Sequence, residues 1–213
     1  MKPISVIAYI WAVSSSGADA AAPRRFSLRD EARAWIAATF EGWLQELTAP
    51  ERDALAQYKE GDAYRQINGA LRGTAAMSEQ IETTIEDLDV AIARMRLPEP
   101  VVVWRAIALP ALARAPDSLV GDTIEEAAYV STSLLRAVAL DYLEQNAGAG
   151  SGVLERITLA GGAHAAVVVS AAAPDLIVDL DEAELLLPRG TRLLVTEDNL
   201  DHDRRILDLE VIR

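Results

Sequence analysis

The sequence predicts an α+β fold, with helices gathered in the first half and strands in the second. Three observations carry this. Up to Pro98, apolar residues recur at spacings of three and four, the period of a helix packed on one side. Beyond Pro100 the apolar runs are short, rich in β-branched residues and bounded by Pro, Gly or Asn/Asp turns, as strands are. The two kinds of element are segregated rather than alternating, and no G-x-G-x-x-G or Walker motif is present, which disfavours a doubly wound nucleotide-binding sheet.

In order, "SLRDEARAWIAATFEGWLQEL" places Leu28, Ala32, Trp35, Ile36, Thr39, Trp43 and Leu47 near one face, with Ser27 as the expected N-cap. "TAPERDALAQYKEG" begins a second helix, capped by Thr48, with Pro50 in the first turn and Gly61 at its end. "AYRQINGALRG" reads as a third helix ending at Gly73. In "SEQIETTIEDLDVAIARMRL" the stripe Ile81, Ile85, Leu88, Ile92 and Met95 marks a fourth, stopped by Pro98. "EPVVVWRAIAL" and "AAYVSTSL" then read as strands, "LLRAVALDYLEQN" as a helix, and "GAGSG" as a turn. "VLERITL", "HAAVVVS", "AELLL", "TRLLVTEDNL" and "RRILDLEVIR" complete a strand-rich half.

The 213 residues suffice for one large domain, and 51% hydrophobic with 25% charged residues suit a packed core. A net charge of −13 argues against nucleic acid or an anionic membrane as partner, since both attract Lys/Arg surfaces. It leaves room for one nucleotide ligand held by a few arginines. The absence of cysteine excludes disulfides, thiolate metal sites and Cys nucleophiles. His164 and His202 lack ligand-like partners in the sequence, so no metal site is expected. At the N-terminus, Lys2, an apolar stretch from Pro3 to Val13 and Ala18-Asp19-Ala20 predict a secretory signal peptide over residues 1–20, too short for a membrane span. The protein is therefore expected to be exported.

Three polar sites interrupt the apolar strands. Arg105 lies inside "VVVWRAIAL", where a guanidinium must find a carboxylate, a phosphate or a cleft rim. Ser131-Thr132-Ser133 lies where a strand meets a helix, and its hydroxyls could cap that helix or hold a ligand or carboxylate. Glu182 and Glu184 stand two apart, so alternation along a strand puts both on one face, about 7 Å apart at Cα. A carboxylate pair suits proton transfer and stabilisation of a positive transition state. Taken singly, each site also has an ordinary structural explanation.

Arg, then S-T-S, then E-x-E on successive strands resembles the arginine–serine–glutamate class of ADP-ribosyltransferases, and within it the bacterial exoenzymes that include the actin- and Rho-modifying toxins. The resemblance extends over most of residues 28–212: "LT-x-x-E", "Y-x-x-IN-x-x-LR", "IEDLDVAIARMRLPEPVVVWRAI", "VGDTIEEAAYVSTSL" and "AELLLPRGTRLLV" occur in the family's order and spacing. It implies N-terminal helices packed on a mixed two-sheet β core, as a single catalytic domain over 26–213, with NAD as co-substrate and no metal. It also implies site residues. Arg105 would hold the NAD phosphates, Asn68 and Arg72 would contact the adenosine and pyrophosphate side, and Tyr64 would line the same pocket. Ser131 would orient the NAD and the catalytic glutamate. Glu184 would bond the nicotinamide ribose and stabilise the cation formed as nicotinamide leaves, and Glu182 would activate the acceptor.

In this family E-x-E goes with arginine acceptors and Q-x-E with asparagine or other acceptors. A carboxylate can pair with a guanidinium and take its proton, which an amide cannot. The expected partner is thus an arginine-bearing target protein, with actin the candidate by analogy, reached through a separate delivery component because no second domain is recognisable. Alternatives are transfer to nucleic acid or to a residue other than arginine, NAD hydrolysis with water as acceptor, and a non-catalytic binding module, which would be favoured only if the glutamates or the arginine were missing. Two departures stand out. Ala106 follows the arginine where glycine is frequent, and "AAAPDLIVDLD" lacks the aromatic many relatives use for target recognition.

Overall fold

A computed structural model of the chain describes residues 21–108, 117–147, 152–169, 182–201 and 204–212. The segment 1–20 expected to direct export, most of "GAGSG", the "AAAPDLIVDLD" loop and His202 lie outside the described residues.

Among the described residues four helices precede the first strand: α1 (Arg29–Glu46), α2 (Ala49–Lys59), α3 (Ala63–Leu71) and α4 (Glu79–Arg94). On α1 the buried stripe is Ala32, Trp35, Ile36, Phe40 and Trp43. Leu28 is instead 59% exposed and occupies the N-cap position without a side-chain bond, so Ser27 does not cap this helix. Buried indoles need acceptors. Trp43 Nε1 donates to the Ala91 carbonyl at 3.0 Å, tying α1 to α4, and Trp35 Nε1 donates to Glu99 at 2.8 Å. The Thr48 amide donates to Glu51 at 2.7 Å, closing the capping box that starts α2. Gly73, at φ 72°, turns the chain after α3 in a conformation open to glycine at no cost. Ser78 accepts from the Ile81 amide at 3.3 Å to cap α4.

The strands are β1 (Val101–Ile107), β2 (Thr123–Glu126), β3 (Val130–Ser133), β4 (Val153–Leu159), β5 (Glu184–Leu187), β6 (Thr191–Asp201) and β7 (Arg204–Ile212), with α5 (Arg136–Ala147) after β3. Their order is β2-β6-β7-β4-β1-β3-β5. Only β4 and β7 pair in parallel, so the sheet is mixed. The two-part core expected from the resemblance takes the form of one continuous hydrogen-bonded sheet. Its parts meet at a single pair, Trp104↔Ser133, while the opposite edge of β1 pairs along its whole length with β4 and the opposite edge of β3 with β5.

Two elements differ from expectation. "HAAVVVS" is not a ladder strand among its described residues. Ala165 to Val169 are buried, and Ala166 bridges to Leu186, with hydrogen bonds of 2.9 and 2.8 Å. A β-branched run encodes burial more firmly than pairing. Strand β2 had no sequence signature, because "TIEE" is a four-residue, half-exposed edge strand with no apolar alternation to detect.

Candidate active site

A cleft of about 500 Å³ opens where β1 meets β3, within the ~300–1,000 Å³ range of small-molecule sites. All seven sequence-nominated residues line it: Tyr64, Asn68, Arg72, Arg105, Ser131, Glu182 and Glu184. They come from α3 and the residue that caps it, from β1, from β3, and from the start of β5 and the turn before it.

The glutamates converge by a different route from the one alternation predicts. Only Glu184 belongs to β5, where it pairs with Ser133. Glu182 lies in the preceding turn, and Ala183 between them is at φ 45°, the only non-glycine with positive φ among the described residues. Left-handed backbone costs an alanine roughly 1–2 kcal/mol. It persists here because its surroundings over-determine it. Ala183 is fully buried, its carbonyl accepts from the Leu134 amide at 3.0 Å, and Ser133 Oγ donates to the Glu182 carbonyl at 2.5 Å. Thr132 Oγ1 donates to the Leu185 carbonyl at 2.8 Å. The S-T-S segment thus anchors the turn that presents both glutamates, with Ser131 left exposed to the cleft.

Lys59, the last residue of α2, reaches into this turn. Its Nζ donates to Glu182 at 2.7 Å and to Glu184 at 2.9 Å. Burial pulls the Lys59 ammonium down, but the Glu184 charge and the hydrogen bonds it donates to both carboxylates overcome it, so the group sits above its ordinary value.

At the other end of the cleft Arg105 is half-buried between two carboxylates, at 2.9 Å from Glu126 and 3.4 Å from Glu155. Arg72 reaches the second oxygen of the same Glu126 at 3.0 Å. Glu155 is fully buried opposite Arg105 in the β1–β4 ladder, and its Oε1 has no partner among the described residues. Burial pushes the Glu155 carboxyl up, and Arg105 only partly offsets it. Burial also pulls Glu126 up, but its hydrogen bond to Arg105 and that guanidinium's charge hold it below the usual carboxylate range. Two guanidiniums therefore flank one carboxylate, a geometry that equally suits the oxygens of a pyrophosphate.

Between these ends, Asn68 is buried and bonded through both ends of its amide. Its Nδ2 donates to the Tyr58 hydroxyl at 2.9 Å, and its Oδ1 accepts from the Tyr129 amide at 3.3 Å. Burial raises the Tyr58 phenol, and hydrogen bonds with Asn68 and Ser131 oppose this. Tyr64 packs its ring 6.4 Å from that of Tyr58, and its hydroxyl accepts from Arg65 at 2.9 Å. Asn68 thus braces two backbone segments of the cleft as well as lining it.

Sequence reasoning missed Lys59, Glu126 and Glu155. Glu155 had a usable signal, a lone charge in the apolar run "VLERITL", the same logic that singled out Arg105. Lys59 and Glu126 had none, being ordinary charges beside other charges. The double use of Arg105 gives a test. Arg105→Met leaves Glu155 buried and uncompensated and should cost about 3–5 kcal/mol of stability. Adding Glu155→Leu should recover most of it. If the arginine also serves a ligand, the double variant melts near wild type yet fails to bind NAD in a calorimetric titration.

The described residues contain no His/Cys/Asp/Glu group able to hold a metal and no helix long and apolar enough to cross a membrane. No curated protein matches this chain by sequence. Among solved structures, the C3 exoenzyme of Clostridium limosum is similar at 21% identity and a TM-score of 0.68, covering 90% of this chain and 98% of its own. C3stau2 from S. aureus, in a structure with NAD, aligns at 22% identity and a TM-score of 0.70, covering 90% of this chain and 99% of its own. BECa of a binary enterotoxin of C. perfringens, with NADH, aligns at 20% identity and a TM-score of 0.70, covering 89% of this chain and 50% of its own. These likenesses establish the fold. A family model described as ADP-ribosyltransferase exoenzyme matches residues 32–212, and with that span the chain belongs to the ADP-ribosyltransferase exoenzyme family.

Proposed function

We propose that this family member transfers ADP-ribose from NAD to an arginine of a target protein, releasing nicotinamide. The observation that carries the proposal is the convergence of Glu182, Glu184, Ser131, Arg105, Arg72, Asn68 and Tyr64 on one cleft. Arg105 and Arg72 hold the pyrophosphate, with Glu126, which bridges them now, as the group they exchange for it. Tyr64 and Asn68 line the adenosine side, and Ser131 orients the nicotinamide ribose beside Glu184.

The bond broken joins C1′ of the ribose to the nicotinamide nitrogen, and nicotinamide departs with its electron pair. Glu184, with its side chain 10% exposed, keeps a fixed negative charge where positive charge develops on the ribose, as carboxylates do in glycoside hydrolysis. Glu182, 50% exposed at the mouth, pairs with the incoming guanidinium. It accepts the proton released as the guanidine nitrogen bonds to C1′.

The proposal includes a single catalytic domain over 26–213, export directed by residues 1–20, action inside a target cell, and entry through a separate component. It is tested by incubating the purified protein and labelled NAD with eukaryotic and bacterial lysates, followed by mass spectrometry of labelled molecules. Label on an arginine is the expected result. Label on another residue type or on nucleic acid, or only free ADP-ribose, overturns the arginine assignment.

A further inference from the structure

The Lys59 contact has no part in the reaction as derived above. Its ammonium bonds the two carboxylates that the proposed reaction uses separately, one for the ribose and one for the acceptor. Lys59 is 27% exposed at the C-terminal end of α2, where the helix dipole favours a cation, and Gly61, at φ 55°, lets the chain turn away immediately afterwards. A chain of net charge −13 offers a lysine many exposed carboxylates, yet this one is inserted between these two.

We propose that Lys59 is a specificity-determining residue. Its ammonium occupies the place of the acceptor cation between Glu182 and Glu184, so the pair is released for reaction only when an acceptor guanidinium takes its place. This inference rests on the transfer reaction proposed above.

The physical basis is competition between unlike cations for one anionic site. A positive charge beside Glu184 weakens the field that would stabilise the ribosyl cation, so cleavage without an acceptor is slow. Water and neutral amides carry no charge with which to displace the ammonium. A guanidinium does: its planar fork pairs with Glu182 at the mouth and takes that carboxylate from the ammonium, which loses one of its two anchors and gives up Glu184 to the ribose. NAD hydrolysis is thereby held back until an arginine side chain arrives.

The test measures nicotinamide release from NAD with and without agmatine, a free guanidine acceptor, in wild type, Lys59→Met, Lys59→Gln and Lys59→Arg. Glu184→Gln is the reference for lost chemistry, and melting temperatures are measured alongside. Lys59→Met and Lys59→Gln should raise release without agmatine by about tenfold or more. They should also lower the agmatine KM, with a much smaller change in the rate at saturation. Lys59→Arg should keep release without agmatine low. Release that is unchanged or reduced in both neutral variants of an active, folded enzyme overturns the proposal and makes Lys59 a support for the turn. Loss of folding in both neutral variants makes it a structural ion pair and overturns the proposal equally. A wild type that releases no nicotinamide with agmatine, NAD or lysate overturns the transfer reaction itself, a result separable from the others.

Discussion

Glu184→Gln should lower nicotinamide release by about 10²–10³-fold, the loss typical when one preorganised electrostatic group is removed from a reacting centre. The substitution is close to isosteric. Strand β5 keeps its pairing with β3, its three leucines stay buried, and the turn held by Ser133 and Leu134 does not involve the Glu184 carboxylate. An amide oxygen can still accept from Lys59. What disappears is a fixed negative charge in a part-buried setting, needed only as positive charge develops on the ribose. The effect should therefore fall on the saturated rate, with NAD affinity changing far less. Stopped assays of nicotinamide release, together with NAD titration, separate the two. Unchanged turnover in a folded Glu184→Gln protein would remove the assignment of Glu184 as the charge that drives cleavage.

Glu182→Gln should divide the two halves of the reaction. Glu182 is half-exposed in the turn before β5 and more open to solvent than Glu184, which suits the acceptor role proposed for it. Its amide analogue cannot remove a guanidinium proton, so transfer to agmatine should fall by about 10²-fold, the scale of general-base catalysis. Slow hydrolysis of NAD should continue, because Glu184 is untouched. The measured quantity is the ratio of ADP-ribosyl-agmatine to free ADP-ribose. A ratio equal to wild type would detach Glu182 from the acceptor and with it the preference for arginine.

Much of the cleft was legible because its chemistry contradicts its surroundings. A guanidinium in "VVVWRAIAL" and hydroxyls in "AAYVSTSL" are costly there unless satisfied, and the cost is visible in one dimension. The helices were legible through periodicity, and some of their ends through Thr48 and Gly73, whereas the expected Ser27 cap did not form and the Ser78 cap went unread. The E-x-E spacing pointed to two carboxylates at one place and was right for a different reason. The alternation argument assumed a strand, whereas a left-handed Ala183 brings them together in a turn.

By itself, the sequence determined the segregation of helices from strands and singled out Arg105, Ser131, Glu182 and Glu184 by local pattern, while Tyr64, Asn68 and Arg72 came from the resemblance to the family. Local pattern and burial cost are properties of short stretches, and short stretches are what a sequence displays. Only the tertiary structure decided which charge meets which. Lys59 lies 123 and 125 positions from the glutamates it binds, and Glu126 joins Arg72 to Arg105 across separations of 54 and 21. A charged residue announces that it needs a partner or water, but not which partner, because ion pairing depends on distance in space and carries no periodic signature along the chain. The same reason hid the single Trp104↔Ser133 pair that joins the two parts of the sheet and stands at the cleft.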